Sequence, residues 1–245
     1  IVEILKSQHL AVGLCAPTGR ASKRLAQATG QDAKTIHRML DLDFKDGKGY
    51  FTYNDQTQLE YDVVIVDEVS MCDEYVFNSL IKAIKIGGRL IMVGDKDQLP
   101  SVGAGNVLAD IIASKVVPVN YLSFIYRQDE NSKIVTNAHR INKGQMPLFD
   151  NKSSDFFFDN QSEPAKILEN TISMVTKRLP KFAGVSPIDI QVLCPMKKGV
   201  AGVENVNKEL QNALNPAKDA KSQIKVGMTN YRVGDKVIHT VNDYQ

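Results

Sequence analysis

The run Val63-Val64-Ile65-Val66 is the feature of this 245-residue sequence that most constrains its fold. Four consecutive β-branched residues favour a strand, and the absence of polar alternation indicates that both faces of the strand are buried, as in a parallel sheet. The run is followed directly by Asp67 and Glu68. The sequence therefore predicts a buried strand that brings two carboxylates to the carboxyl edge of a parallel sheet.

Strand and helix patterns alternate along most of the chain, and this alternation predicts an α/β fold with parallel sheets. Asp73 is the expected N-cap of the helix that follows the acid pair, and Gly30 is expected to close an earlier helix. The predicted elements are strand 10–16, helix 20–28, helix 35–40, strand 63–66, helix 73–85, strand 89–93, helix 105–114, strand 116–122, helix 132–142, strand 156–158, helix 163–178, strand 188–193 and helix 203–214.

Two segments depart from this alternation. Residues 43–59 are rich in Asp, Gly, Asn and aromatic residues, which predicts a small hairpin excursion. Residues 217–245, with Gly227 and Gly234-Asp235, predict short strands of an all-β module. No internal repeat or low-complexity tract is found.

Composition and charge limit the classes of protein to which this chain can belong. The chain is 43% hydrophobic and 24% charged, as expected for a soluble globular protein. No apolar stretch approaches the roughly 18 residues of a membrane span. The net charge is +2, but residues 1–40 carry six cations against two anions, residues 41–75 two against ten, and residues 196–245 eight against five. The basic segments could bind a polyanion, and the acidic segment could bind a divalent cation. The alternative is that all of these charged residues are simply exposed to solvent and bind nothing.

The three cysteines, Cys15, Cys72 and Cys194, are far apart and form no Cys-x-x-Cys pair. This pattern argues against a disulfide framework or a structural zinc site and favours a reducing, cytoplasmic location. We expect all three to be small buried apolar side chains.

The acid pair after the central run suits a metal–nucleotide site. In open α/β sheets, ligands bind beyond the carboxyl ends of the strands. There Asp67 can hold Mg²⁺ beside nucleotide phosphates, directly or through water, and Glu68 can orient or deprotonate an attacking water. Acids at strand ends also serve as helix caps, which is the structural alternative.

Two further turns carry groups that can meet a terminal phosphate. Residues 94–100 follow the next predicted strand, so Gln98 can lie near Asp67 and hydrogen-bond a phosphate or the lytic water. Arg127, within Tyr126-Arg127-Gln128, can stabilise the charge that develops in phosphoryl transfer. These two segments also have structural interpretations. Residues 94–100 alone would be an ordinary polar turn, and Arg127 alone would be part of a surface ion pair.

The segment 16–24 joins a glycine turn to the start of a helix. Its backbone amides, together with Thr18, Arg20 and Ser22, suit nucleic-acid phosphates. It is not a Walker A motif, because the string G-x-x-x-x-G-K-[ST] occurs nowhere in the 245 residues. A nucleotide site built from this chain alone would therefore lack its main phosphate cradle.

Taken in order, these segments resemble the motifs of superfamily 1 helicases, and most closely the bacterial RecD-like ATP-dependent DNA helicases, which include the exodeoxyribonuclease V alpha subunit. Motif III, Gly94-Asp95-Lys96-Asp97-Gln98-Leu99-Pro100-Ser101-Val102-Gly103-Ala104-Gly105, is the most specific match. The other matches are residues 16–21 with motif Ia, 35–38 with the short motif after it, 67–71 with motif II, 126–128 with motif IV, 194–199, 202 and 214–216 with the second RecA-like domain, and 233–237 and 242–244 with the beginning of an SH3-like subdomain.

The resemblance implies two RecA-like P-loop NTPase domains with parallel sheets. Residues 1–115 would form the first, with a hairpin insertion near 43–60 in the place of the family's strand-separating pin. Residues 116–216 would form part of the second domain, and residues 217–245 the start of the SH3-like module. Motif I is expected just before residue 1, and motifs V and VI beyond residue 245, so the chain resembles an internal fragment that is inactive alone.

The implied activity is ATP-dependent DNA unwinding and translocation on single-stranded DNA in the 5′→3′ direction, in DNA repair and recombination. ATP and Mg²⁺ are the implied cofactors. Other subunits of a helicase–nuclease complex are further implied partners, and no association with a membrane is implied. Asp67, Glu68, Gln98 and Arg127 would surround the triphosphate. The implied DNA contacts are Pro17, Thr18, Gly19, Arg20, His37, Lys197 and Lys198.

Two other functions stay open from the sequence. One is a P-loop ATPase of another class, such as a signalling or loader ATPase. The other is a non-catalytic nucleic-acid-binding or scaffold module, which the missing Walker A string favours.

Overall fold

The computed structural model describes residues 1–45, 47–122, 132–152, 155–217 and 222–238. The chain divides into two compact units. The first takes in the described residues among 1–131 and 138–146, and the second takes in those among 132–137 and 147–245. No helix in the described ranges is both long and apolar enough to cross a membrane.

The elements up to residue 114 alternate largely as predicted. They are, in chain order, α1 (Val2–Ser7), β1 (Val12–Ala16), α2 (Gly19–Thr29), β2 (Lys34–Thr35), α3 (Ile36–Met39), β3 (Leu42–Lys45), β4 (Lys48–Phe51), β5 (Val63–Val66), a 3₁₀ turn (Val69–Met71), α4 (Glu74–Ala83), β6 (Arg89–Met92) and α5 (Val107–Ser114).

Four of these strands form a parallel sheet in the order β2-β1-β5-β6. Val63 pairs with Val12 on one side and with Arg89 on the other, so β5 lies between β1 and β6. All three pairings are parallel, which places the carboxyl ends of the strands at one edge of the sheet. The predicted α/β class with a parallel sheet is confirmed.

Both faces of β5 are buried, as its unbroken β-branched run predicts. Val63 and Ile65 join a cluster that includes Leu25 of α2. Val64 and Val66 face the opposite way, into the main core. That main core also includes residues from three helices: Ile36, Met39, Leu80, Ala83 and Leu108. Successive strand residues point to opposite faces, so four β-branched residues fill both layers at once.

The helix caps follow local chemistry that is readable in the sequence. The Asp73 carboxylate accepts a hydrogen bond from the Val76 amide at 2.8 Å and caps α4. Gly30 ends α2 with φ of 65°, a left-handed conformation that a glycine adopts without steric cost. Both predicted caps are confirmed.

The predicted hairpin excursion is formed by β3 and β4, which pair antiparallel from Leu42 with Phe51 to Lys45 with Lys48. The Tyr50 hydroxyl donates to the carboxylate of Asp43 across the hairpin at 2.8 Å, and this bond lowers the pKa of Asp43. Phe51 packs against the main core at the base of the hairpin. The hairpin is therefore tied to the core at its base and exposed along its strands.

The described elements beyond residue 131 are mostly helical. They are α6 (Lys133–Asn142), α7 (Pro164–Ser173), a π turn (Met174–Arg178), α8 (Leu179–Ala183), a 3₁₀ turn (Pro187–Asp189), α9 (Val203–Leu214), and the antiparallel strands β7 (Gln223–Val226) and β8 (Thr229–Arg232). The predicted helices at 132–142, 163–178 and 203–214 are confirmed, as are short strands after residue 217.

Three predicted strands are wrong, since residues 116–122, 156–158 and 188–193 form none in the structure. An apolar run becomes a strand only where a neighbouring strand supplies its backbone hydrogen bonds. Pro118 lacks an amide hydrogen inside the first of these runs. Pro187 starts a 3₁₀ turn that includes the first two residues of the last run, 188 and 189. The parallel pairing in the described residues is therefore confined to the first unit.

The β7–β8 hairpin is fastened to α9 by the carboxylate of Asp235. Asp235 accepts hydrogen bonds from the side-chain amides of Gln211 and Asn215, both at 2.6 Å, and from the Arg232 amide at 2.7 Å. Burial raises the pKa of Asp235, but these hydrogen bonds together outweigh it and hold the pKa below its ordinary value. The start of the predicted all-β module is thus anchored through polar groups rather than through a core.

Candidate functional site: the carboxyl edge of the sheet

The acid pair follows β5 on a sharply turned backbone. The Asp67 amide donates to the carbonyl of Cys15 in the adjacent strand at 2.9 Å, continuing the sheet by one residue. Glu68 then adopts φ 55° and ψ 40°, a left-handed conformation that is uncommon for a residue with a side chain. The Glu68 amide donates to Asp67 Oδ1 at 3.0 Å. Both acids are half-buried, at the edge where the sequence places them.

The turn after β6 lies directly against the turn after β5. The Val93 amide donates to the Val66 carbonyl at 2.8 Å, and the Val69 amide donates to the Val93 carbonyl at 3.0 Å. A Cβ atom on Gly94 would lie 3.2 and 3.3 Å from the amide nitrogens of Val69 and Ser70, and 2.9 Å from Leu108 Cδ2. A side chain at residue 94 would therefore crowd the amides of Val69 and Ser70, and glycine lets the two turns approach without that crowding.

Gln98 lies four residues further on, in an exposed loop organised by Asp95. One oxygen of Asp95 accepts from the Asp97 amide at 3.0 Å, and the other is 3.5 Å from the Gln98 side-chain nitrogen. Lys96 forms an ion pair of 2.7 Å with Asp97, and its hydrogen bond lowers the pKa of that carboxyl group. The loop then returns to α4, where the Glu74 amide donates to the Ala104 carbonyl at 2.9 Å. Motif III thus forms an ordered loop next to the acid pair.

The turn after β1 reaches the same edge of the sheet. Thr18 is the N-cap of α2, and its hydroxyl accepts from the Ala21 amide at 3.2 Å. The Thr18 carbonyl accepts from the Ser22 amide at 3.0 Å. In the described part of the chain no acceptor is found for the amides of Gly19 and Arg20, and the Arg20 side chain is exposed. Because β1 and β5 are adjacent, this turn and the acid pair follow neighbouring strands.

His37 lies at the beginning of α3 in contact with the hairpin. Its ring centroid is 5.8 Å from that of Phe51, which in turn is 6.1 Å from that of Tyr75 at the start of α4. Burial lowers the pKa of His37, while the negative charge of Asp73 acts in the opposite direction. His37 is thus a half-buried imidazole within a row of three rings.

The depressed pKa of His37 predicts a pH-dependent stability. A histidine with a folded-state pKa below its unfolded value near 6.5 contributes stability above that pH and loses it as the pH falls through the depressed value. We expect the melting temperature to fall less between pH 7.5 and 5.5 in His37→Gln than in the wild type. His9→Gln changes an exposed imidazole and is the matched control; an equal fall in all three proteins would contradict the prediction.

The acid pair has the donor set that a hard cation requires. Asp67 Oδ2 and the Glu68 carboxylate make no hydrogen bond or ion pair within the described ranges. No three His, Cys, Asp or Glu side chains gather around a common point in the same ranges. Magnesium in nucleotide sites is usually bound through one or two carboxylates plus substrate phosphates and waters, and Asp67 fits that pattern.

Three further predicted site residues are Arg127, Lys197 and Lys198. Arg127 falls outside the described residues, as does the segment 242–244. Lys197 and Lys198 belong to the second unit and are exposed in a loop before α9. The Glu204 amide in the first turn of that helix donates to the Lys197 carbonyl at 3.2 Å. The structure therefore brings together the turns that carry Thr18, Asp67, Glu68 and Gln98, while the convergence of Arg127 with them stays a prediction.

Two features of the site were not predicted from the sequence. The Ser70 hydroxyl, on the 3₁₀ turn after the acid pair, is buried and has no hydrogen-bond partner among the described residues. The ring row of His37, Phe51 and Tyr75 joins three elements distant in sequence. The aromatic residues in 43–59 were a partial signal for this row. Nothing in the sequence indicated that the Ser70 hydroxyl would be buried without a hydrogen-bond partner among the described residues.

Cys15 contacts the acid pair through its backbone carbonyl and not through its thiol. All three cysteines are free thiols; Cys15 and Cys72 are buried, and Cys194 is only half-buried, so the expectation of three buried side chains is wrong for Cys194. Burial raises the pKa of both Cys15 and Cys72 to about 12. The two thiols are therefore protonated at neutral pH and pack as apolar groups.

Comparison with known proteins places these features in a family. The chain is 35% identical over 244 residues to the ATP-dependent RecD2 DNA helicase of Deinococcus radiodurans, a match that covers 100% of this chain and 32% of that protein. It is 30% identical over 263 residues to the RecBCD enzyme subunit RecD of Mycobacterium tuberculosis, covering 95% of this chain and 44% of the relative. DNA helicase B of Mus musculus is 30% identical over 184 residues, covering 69% of this chain and 16% of the relative.

The chain thus spans less than half the length of each of these relatives. The relatives confirm the resemblance to RecD-like helicases that the order of motifs predicts. Residues 1–156, which include the whole parallel sheet, match the family model described as an AAA domain. Because that match extends over more than half of the chain, the protein belongs to the AAA domain family.

Proposed function

We propose that this chain is the motor core of an ATP-dependent DNA helicase that moves along single-stranded DNA. The observation that carries the proposal is the direct contact between the turn after β5 and the turn after β6, made by the Val69–Val93 hydrogen bond and permitted by Gly94. The contact joins the acid pair to the loop of Gln98. Such an arrangement can link hydrolysis of a nucleotide to movement of a neighbouring loop.

The four predicted catalytic residues would each act on the triphosphate or its attacking water. Glu68 would accept a proton as the water oxygen bonds to the γ-phosphorus and the bond to the ADP oxygen breaks. Gln98 would hydrogen-bond the γ-phosphate or the water, and Arg127 would neutralise the charge that develops on the phosphoryl oxygens. Asp67 would hold Mg²⁺, which when bound supplies charge neutralisation at the phosphates. Within the described ranges, Asp67 Oδ2 and the Glu68 carboxylate have no hydrogen-bond or ion-pair partner, which supports the assignments of these two residues.

The proposed DNA contacts in the first unit are Pro17, Thr18, Gly19, Arg20 and His37. The amides of Gly19 and Arg20 have no acceptor among the described residues, which supports phosphate binding at the start of α2, where the helix dipole also favours negative charge. The row of His37 with Phe51 and Tyr75 supports base stacking, to which every base contributes a π-face.

In the second unit, Lys197 and Lys198 are proposed to bind DNA phosphates. Both are exposed, and neither forms an ion pair within the described ranges. We infer the domain bounds 1–115, 116–216 and 217–245, with the hairpin at 43–60 as a strand-separating pin. Two observations support the proposed role of this hairpin as a pin. The strands β3 and β4 are exposed, and Phe51 anchors their base to the main core.

The proposed partners rest on the names of the relatives, the direction of movement rests on the resemblance to RecD-like helicases, and the location rests on the cysteine pattern. One relative is a DNA helicase by name and another is a subunit of the RecBCD enzyme, which supports other helicase–nuclease subunits as partners. We propose 5′→3′ movement and a cytoplasmic location. Residues 1–245 by themselves are proposed to bind ATP weakly and not to turn it over, because they hold no Walker A string.

The proposal is tested with the full-length protein by measuring ATP hydrolysis with and without single-stranded DNA, and unwinding of a duplex with a 5′ single-stranded tail. We expect strong stimulation of hydrolysis and ATP-dependent strand separation. ATP hydrolysis without any response to DNA would instead indicate a P-loop ATPase of another class. DNA binding without hydrolysis would indicate a non-catalytic nucleic-acid-binding module.

A further inference from the structure

A cavity of about 190 Å³ lies beside the first three residues of β1, where that strand borders β2. Its other walls are the segment that leads into β2, Met39 of α3 and the side chain of Tyr61. The acid pair and the Thr18 turn follow the opposite ends of their strands, so the cavity is separate from the site described above. At about 30 Å³ per water it has room for about six waters, which suits one small organic molecule.

The edge of β1 that borders the cavity is only partly paired, since β2 pairs with the last two residues of β1 alone. The carbonyls of Ala11 and Cys15 accept amides on the β5 side. Alternate residues turn their backbone groups to opposite edges, so the Leu14 amide points to the β2 side. In this register it would donate to the Asp32 carbonyl, and no such bond is found among the described residues. Leu14 is buried, so the cavity wall holds a buried N–H donor that has no acceptor in the described part of the chain.

A second donor of the same kind lines the cavity. The side-chain nitrogen of Gln31 is buried, and it has no hydrogen-bond partner within the described ranges. Buried donors are normally paired with protein, water or a ligand, because leaving one unpaired is costly. Two such donors at one small cavity favour a group with two acceptor oxygens, and a carboxylate is the strongest acceptor of that kind.

Two opposite charges border the same cavity. Asp32 and Lys34 both line it and are both exposed, and neither forms an ion pair in the described residues. The Lys34 ammonium adds attraction for a carboxylate, and the Asp32 carboxylate attracts a cation. Met39 is buried and supplies an apolar wall. A molecule that carries a carboxylate, an ammonium group and a short apolar chain matches all of these groups.

We propose that this cavity binds a small apolar α-amino acid as its zwitterion. The carboxylate accepts hydrogen bonds from the Leu14 amide and the Gln31 side chain, and the ammonium group faces Asp32. This inference is independent of the proposed function. Because β2 runs directly into α3, the bound molecule would tie the edge of β1 to the segment that leads to His37.

The test is calorimetric titration of the full-length protein, without DNA or ATP, with L-valine, with isovalerate, which lacks the ammonium group, and with isobutylamine, which lacks the carboxylate. We expect valine to bind most tightly. Loss of an exposed ion pair should weaken isovalerate about 2- to 5-fold. Loss of the charged acceptor should weaken isobutylamine about 10- to 100-fold.

Three variants locate the site. Gln31→Leu removes the buried donor and should weaken valine about 10- to 100-fold. Asp32→Asn should weaken valine about 2- to 5-fold and should not weaken isovalerate. Gln27→Leu changes an exposed glutamine on α2 and should keep the wild-type affinity. Leucine leaves no donor unpaired at residue 31, so the melting temperature of Gln31→Leu should not fall below that of the wild type.

Binding of none of the three molecules would show that water alone fills the cavity, and would overturn the inference. Equal affinity for valine in Gln31→Leu and the wild type would overturn the assigned site. Isovalerate that binds as tightly as valine would overturn the amino-acid class. Each of these results would leave the proposed helicase function in place, since that function is measured with ATP and DNA.

Discussion

Glu68→Gln should lower DNA-stimulated ATP hydrolysis by the full-length protein about 100- to 10,000-fold, the range of a lost general base. Glutamine has the shape of glutamate, so it can occupy the same left-handed backbone position and leave the Glu68 turn in place. It cannot accept the proton of the attacking water. Binding of ATP should therefore persist, and the loss should appear in kcat rather than in KM.

The matched control is Glu60→Gln, which removes a carboxylate from an exposed position before β5. Its ATP hydrolysis should equal that of the wild type. Steady-state hydrolysis and a single-turnover measurement with saturating DNA separate the chemical step from product release. Undiminished turnover in Glu68→Gln would remove Glu68 from the proposed catalytic role.

Most of the first unit could be predicted because its elements are determined by local patterns. The run at 63–66 fills two layers of the core, and Asp73 and Gly30 cap helices through bonds that span only a few residues. The strands predicted at 116–122 and 188–193 failed for the opposite reason. Whether an apolar run becomes a strand depends on a partner strand elsewhere in the sequence, and periodicity in the run itself does not reveal that partner.

The site shows the same division between local and distant determinants. The acid pair and the Gln98 loop could be placed at one edge of the sheet because the ends of parallel strands meet there. The close contact of their turns depends on Gly94, whose importance is visible only when Val69 and Leu108 are seen around it. The ring row from His37 to Tyr75 could not be predicted, since it requires the hairpin to fold back onto α3 and α4.

Gly94→Ala should displace the two turns by a few tenths of an ångström and reduce ATP hydrolysis about 3- to 10-fold, since a displacement of about 1 Å between catalytic groups can cost about 100-fold. The new Cβ would lie 2.9 Å from Leu108 Cδ2 and 3.2 Å from the Val69 nitrogen. The side chain of Leu108 can rotate away, but the Val69 amide is held by its bond to Val93. The turn that carries Asp67 and Glu68 must therefore shift relative to the loop of Gln98.

The same crowding should cost about 1–3 kcal/mol of stability, as overpacking of a folded interior does. Val76→Ala, a buried change in α4, should cost a comparable amount, about 1–3 kcal/mol, so a comparison of the two variants separates the effect of lost stability from the effect of displaced catalytic groups. At a temperature where both variants are folded, Val76→Ala should retain near wild-type hydrolysis and Gly94→Ala should not. Equal hydrolysis in the two variants would show that contact between the turns does not position the catalytic groups.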